Sequence, residues 1–206
     1  AFPFSLQRHD GIKAFIEKHT NKIGVIYPTF EEYPNRSAKE NIVSYLPTNA
    51  SMQYDANDIM AFFAGKDIDT LLLINPDNPS GNYIPYNDLM RLIEWTKQHG
   101  MRFIVDESFV DFVDTEGETS LLKNDVLTEN EHLYVVKSIS KSYGVPGLRL
   151  GVLASGDTET IARLKREVAI WNINSFGEFY MQIYEKYHKD YLRACELFRE
   201  ERKLFF

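Results

Sequence analysis

Thr70-Leu71-Leu72-Leu73-Ile74, then Asp88-Leu89-Met90-Arg91-Leu92-Ile93-Glu94-Trp95-Thr96-Lys97, then Arg102-Phe103-Ile104-Val105 form the stretch on which the fold turns. The first and third runs are short and apolar, as strands buried in a sheet are. The middle run is apolar at helical spacing, and Gly100 follows as a natural C-terminal stop. Strand, helix and strand in that order describe a parallel crossover. Outward from it, Ile23–Tyr27, Leu133–Val136 and Gly151–Ala154 read as further buried strands. The fold class expected is therefore α/β, a mostly parallel sheet with helices on both faces. Ligands of such sheets gather beyond the carboxyl ends of the strands. That rule places Asn75–Gly81, Asp106–Asp111 and Ser138–Gly147 on one rim.

The flanks read differently. Tyr45–Asn57 is polar and suits a loop or an irregular edge. From Gly177 to Phe206 there is no proline and many aromatic, leucine and charged residues, which spells one long helix or two short ones. The aromatic stripe there reads as packing. The chain has 206 residues, 44% of them hydrophobic, enough to bury a core. A net charge of −7 argues against a nucleic-acid partner. No apolar run is long enough for a membrane span, and no signal-peptide pattern opens the chain. The single Cys195 excludes an internal disulfide and suits a reducing compartment, so the expected location is cytoplasmic.

Three segments on the expected rim carry chemistry. Ser138-Ile139-Ser140-Lys141 begins where Leu133-Tyr134-Val135-Val136 gives way to small residues, and Gly147-Leu148-Arg149-Leu150-Gly151 follows. A lysine at a strand end can form a Schiff base with an aldehyde cofactor when its surroundings favour the neutral amine. Hydroxyls at Ser138 and Ser140 and the guanidinium of Arg149 suit that cofactor's phosphate. Taken alone, an S-x-S-K segment reads as a surface lysine in a polar loop. Asn75-Pro76-Asp77-Asn78-Pro79-Ser80-Gly81 imposes a fixed turn that aims the Asn78 amide, and alone it is a strand-ending turn. Asp106, emerging from an apolar strand, is costly unless paired with a positive group. A protonated pyridine nitrogen would serve; a helix cap or a surface position are the plainer readings. Asp106, Glu107 and Asp111 match no metal motif and have no histidine close by. His9, His19, His99, His132 and His188 are dispersed, and no nucleotide fingerprint is present.

Together these segments carry a resemblance. The N-P-x-N-P-[ST]-G turn, the D-E strand end, the S-x-S-K loop and the later G-x-R-x-G occur in the order used by class I/II pyridoxal-phosphate aminotransferases of fold type I. The wording is most similar to the branch of histidinol-phosphate aminotransferases and threonine-phosphate decarboxylases. Tyr27-Pro28-Thr29-Phe30-Glu31-Glu32-Tyr33 resembles that branch's P-T-[YF]-x-x-Y segment. The resemblance implies pyridoxal 5′-phosphate as cofactor, with Lys141 forming the internal aldimine and then moving the α-proton. It implies that Asp106 pairs with the pyridine nitrogen, Asn78 bonds the phenolic oxygen, and Phe30 stacks on the ring. Ser138, Ser140 and Arg149 would bind the phosphate. A homodimer is implied as well.

Departures from the pattern set the remaining expectations. Phe109 stands where the family commonly has tyrosine, which leaves the phenolic oxygen to Asn78. The family's glycine-rich phosphate loop precedes the P-T-[YF] segment and is not found here, and neither is the small-domain arginine for the substrate carboxylate. The expected organisation is thus residues 1–170 as a cofactor-binding large domain lacking its N-terminal part, and 171–206 as a helical segment leading to a missing small domain. Trp171–Phe176 suits either the substrate side or an interdomain joint. The expected reaction is transamination between an amino acid, or an amino-acid phosphate, and a keto-acid acceptor. Decarboxylation of a phosphorylated amino acid is the runner-up, and a non-catalytic binding module is the rival from another class.

Overall fold

The computed structural model describes residues 23–26, 42–170 and 172–205. Phe30, with the Tyr27–Tyr33 segment around it, and Trp171 lie outside the described residues. The sheet has six strands in the order β2-β1-β3-β4-β5-β6. They are β1 (Ile23–Ile26), β2 (Ile42–Tyr45), β3 (Thr70–Ile74), β4 (Arg102–Asp106), β5 (Leu133–Ser138) and β6 (Gly151–Ser155). Strands β1 to β5 pair in parallel, and β6 runs antiparallel to β5.

The expected crossover is present. Between β3 and β4 lies α2 (Tyr86–Gln98), which follows the shorter α1 (Ala56–Phe63) in chain order. Leu89, Leu92, Ile93 and Thr96 form the buried face of α2. Thr96 turns its hydroxyl back onto Leu92 O and Ile93 O, which lets a polar side chain sit in that face. The helix ends before Gly100, whose φ of +66° lies in the left-handed region that favours glycine. In β4, Phe103, Ile104 and Val105 are all buried. Successive strand residues point to opposite faces, so burial of all three means that β4 is covered on both sides. Leu71, Leu73, Phe103, Val105, Leu133 and Val135 join Ile59 and Phe63 in one core. Each such side chain contributes about 1.5–3 kcal/mol by its burial.

The stretch expected to be irregular is so from Leu46 to Asp55, and two elements that the sequence reading did not foresee overlap its ends. Tyr45 closes β2, and Ala56 and Asn57 open α1. The helix starts at Asp55 with a capping box: its carboxylate accepts the N–H groups of Asn57 and Asp58, and Asp58 accepts the N–H of Asp55. Ala56, Ile59 and Phe63 then form the buried stripe that the polar residues between them mask in the sequence.

The chain beyond β5 turns back at once. The one-turn helix α4 (Ile139–Ser142) and a 3₁₀ turn at Pro146–Leu148 lead into β6, and α3 (Asn124–Glu129) precedes β5. After β6 come α5 (Thr158–Glu167), α6 (Ser175–Ile183) and α7 (His188–Phe205). The tail is therefore two helices, joined by a 3₁₀ turn at Tyr184–Tyr187. The side chain of Asn174 caps α6 by accepting the N–H of Gly177. Among the described residues, no helix is long and apolar enough to cross a membrane.

Candidate active site

The expected rim forms at the carboxyl ends of β3, β4 and β5. Ile74 is the Cα partner of Asp106, and Asp106 that of Val136, so three strand ends lie side by side. The Asn75 N–H donates to Asp106 O at 2.9 Å, and the Glu107 N–H donates to Val136 O at 2.8 Å.

The Asn75–Gly81 turn is braced from within. Asn75 uses both ends of its amide on the backbone of Ile84, at 2.8 and 3.0 Å. Asn82 does the same with Tyr54, at 3.0 and 3.3 Å. The Ser80 hydroxyl donates to the Asp77 carboxylate and accepts the N–H of Asn82. Gly81, at φ +73°, returns its N–H to Asp77 O, a turn geometry that favours glycine. Burial pushes the Asp77 carboxyl above its ordinary range, partly offset by Ser80. Within this braced turn Asn78 is exposed, and its side-chain amide makes no hydrogen bond among the described residues.

The carboxylates after β4 take separate partners. Asp106 is half-buried, and its Oδ1 accepts the Ser108 N–H at 2.9 Å and the Ser108 hydroxyl at 2.5 Å. Its Oδ2 accepts nothing among the described residues. Glu107 is fully buried and accepts the Ser120 hydroxyl and the Leu121 N–H, each at 2.6 Å. Burial raises its pKa, and those bonds pull it back. Asp111 binds Lys137 at 2.6 Å and the Tyr191 hydroxyl at 2.7 Å. Each carboxylate thus has its own structural bond, and the acidic run is three anchors in sequence.

The lysine loop sits on the same rim. Lys141 is exposed on α4, with Nζ 5.0 Å from the centroid of the Phe109 ring, within cation–π range. Ser138 ends β5 fully buried, and its Oγ has no partner. A buried hydroxyl without a partner costs free energy that a ligand oxygen would recover. Ser140 is placed differently from the expectation that it binds phosphate. Its hydroxyl donates to Leu150 O at 3.1 Å and accepts the Leu150 N–H at 2.7 Å. With its one proton committed there, Ser140 braces the loop beside Arg149, and Ser138 has the hydroxyl left without a partner. Arg149 is exposed and adopts a left-handed backbone, φ +58°, unusual for a residue with a side chain. Its guanidinium makes one long contact, 3.5 Å to Pro146 O.

The structure thus brings Lys141, Asp106, Asn78, Ser138 and Arg149 to one rim, while Phe30 lies outside the described residues. An amine, a carboxylate oxygen, an amide, a buried hydroxyl and a guanidinium face the same edge of the sheet. This donor set suits a ligand with an anionic group at one end and a cationic ring nitrogen at another. Sequence reasoning passed over Ser108, and it passed over Lys137 and Tyr191 as partners of Asp111. The serine's place directly after the D-E pair was its one available signal.

Known proteins resemble this chain in sequence and in fold. The family model described as aminotransferase class I and II matches residues 10–181. The L-serine phosphate decarboxylase of Sulfurospirillum multivorans is 31% identical over 90% of this chain and 47% of its own length. The solved structure of a decarboxylase from the same organism superposes with a TM-score of 0.77 at 28% identity, covering 96% of this chain and 57% of that one. The histidinol-phosphate aminotransferase of Clostridium acetobutylicum gives 0.73 at 25% identity, covering 90% and 55%. The chain spans about half, or less, of the length of the curated relatives it matches.

Proposed function

The chain belongs to the class I and II aminotransferase family, and from that premise we propose that it carries the cofactor-binding part of an enzyme that decarboxylates a phosphorylated amino acid. The family's cofactor is pyridoxal 5′-phosphate. The residues present fit it. The unpartnered, buried Ser138 Oγ offers a donor to the phosphate, and Arg149 adds a positive charge with most of its donors uncommitted. Asp106 Oδ2 is left to accept from a protonated ring nitrogen. The Asn78 amide is free to donate to the phenolic oxygen.

When bound, the cofactor supplies an aldehyde carbon for the substrate amine and a ring that withdraws electrons from the substrate Cα. The chain's own residues do the rest. Asp106 holds the ring nitrogen protonated through its carboxylate. Phe109 lies beneath Lys141 Nζ and limits where that nitrogen reaches. Lys141 Nζ is the proton carrier at Cα: it delivers a proton there once the carboxyl group has left, or removes one in transamination. Residues 1–170 would form the cofactor-binding unit, with 171–206 leading out of it, and a homodimer is part of this reading.

The observation that carries decarboxylation over transamination is the 31% identity to a serine-phosphate decarboxylase across 90% of the chain. Transamination, the expectation from sequence, keeps the support of the histidinol-phosphate aminotransferase structure. The two separate in one assay. The full-length protein with pyridoxal phosphate and an O-phosphorylated serine or threonine should release carbon dioxide and the phosphorylated amine with no keto acid added. Strict dependence on a keto-acid acceptor, with the substrate carboxyl retained, would overturn decarboxylation in favour of transamination.

A further inference from the structure

Ser108 is buried and has no part in the chemistry above. Its hydroxyl nevertheless joins two of the groups that do. It donates to Asp106 Oδ1 at 2.5 Å and accepts the backbone N–H of Ser138 at 3.0 Å. Its own N–H adds a second bond to the same Oδ1 at 2.9 Å. A hydroxyl has a single proton, so the sense of the chain is fixed: Ser138 N–H to Ser108 Oγ–H to Asp106 Oδ1. Each donor in such a chain polarises the next.

We propose that Ser108 is a positioning residue that sets the orientation of Asp106 relative to the Ser138 end of the lysine loop. With Oδ1 held by two bonds from one residue, rotation of the carboxylate is blocked and Oδ2 is the oxygen presented. Because the same hydroxyl holds Ser138 N–H, the carboxylate and the anion-binding hydroxyl are kept at a fixed separation across the β4–β5 strand ends. Removing the hydroxyl frees the carboxylate to turn and strips a buried N–H of its acceptor. The proposal rests on the reading of Asp106 and Ser138 as the two anchors of pyridoxal phosphate, one at the ring nitrogen and one at the phosphate.

The test is equilibrium binding, followed by absorbance, to the full-length protein freed of cofactor. It uses pyridoxal phosphate and its analogue in which the ring nitrogen is replaced by carbon. Ser108→Ala should weaken pyridoxal phosphate about tenfold or more, the scale of a lost hydrogen bond to a charged group. It should weaken the carbon analogue much less, since that ligand makes no bond to Asp106. Ser108→Cys keeps a weak donor of similar size and should fall between, and it carries the test if the alanine variant does not fold. Equal losses for the two ligands, or none for either, would overturn the positioning role, because a merely structural serine affects both alike. Wild-type protein that binds neither ligand would overturn the cofactor assignment itself, and with it this inference.

Discussion

At the carboxyl ends of β3, β4 and β5, buried polar groups bond to one another, and the side chains of Asn78, Lys141 and Arg149 are left exposed. In α6 and α7 the arrangement is reversed. There the polar side chains reach back to the body: Tyr191 and Arg199 to Asp111, Arg202 to Phe112 O, Lys203 to Asp114. The apolar side chains are left outside, with Phe176 at 78% and Leu204 at 81% exposure. The rim is a hydrogen-bonded frame, with the buried Ser138 hydroxyl left unpaired, that holds reactive groups outward. Among the described residues, the tail is fastened by hydrogen bonds, the Lys203–Asp114 ion pair and ring contacts, Tyr143 stacked on Tyr191 at 3.8 Å and Phe112 against Phe198 at 4.9 Å, with burial pushing the Tyr143 hydroxyl up to about 12. Partly exposed polar contacts are worth less than buried packing. Functional loss should therefore concentrate at the rim's cofactor-facing groups, stability loss at its buried braces such as Glu107, and neither at the tail's apolar surface.

The sharpest break would come at Lys141. Lys141→Ala should lower turnover by about a thousandfold or more and leave no cofactor fixed to the protein by borohydride. Its thermal midpoint should match wild type, because the side chain is exposed and, among the described residues, lies against the Phe109 ring. An unfolded variant would show that the rim depends on its reactive lysine, and the contrast would fail. Glu107→Ala, by comparison, should lower stability by about 1–3 kcal/mol, since the Ser120 hydroxyl and the Leu121 N–H would lose their acceptor. Urea unfolding reads this directly.

Protonation sharpens the same point. The folded pKa of Glu107 lies above its ordinary value of 4.5, so between the two values the folded state binds more protons than the unfolded one. This contribution to stability is complete below 4.5 and is lost as pH rises through the raised value. Glu107→Gln should flatten that part of the pH–stability curve, and an unchanged slope would assign it to other groups such as Asp77. Smaller effects belong to the tail. Tyr191→Phe should cost about 1 kcal/mol, the scale of one partly exposed hydrogen bond. Phe176→Ser should stay within about 0.5 kcal/mol of wild type by the same unfolding assay.

What the sequence disclosed follows the same division. Strands β3, β4 and β5 are apolar runs covered on both sides, and α2 shows its buried face at regular spacing, so local pattern was enough. The rim segments were legible because each ends a strand. The strand β2 and the helix α1 were not, because β2 is short and polar residues fall between the buried positions of α1. The antiparallel course of β6 was not legible either, since an apolar run carries no direction. Ser108 to Ser138 and Lys137 to Asp111 are bonds between positions 30 and 26 residues apart, which no local pattern encodes. The discharge of Ser140 from the phosphate depends on its pairing with Leu150, visible only once the loop is closed.

That closure has a consequence for how the chain can vary. Ser138 pairs with Gly151 across the β5–β6 ladder, so Lys141 and Arg149 stand on one loop whose two feet are locked together. An insertion in any other connection leaves the amine and the guanidinium in register with each other. A single-residue change in length between Ile139 and Leu150 displaces both. The two groups thus form one block, their spacing set by the loop between its paired feet.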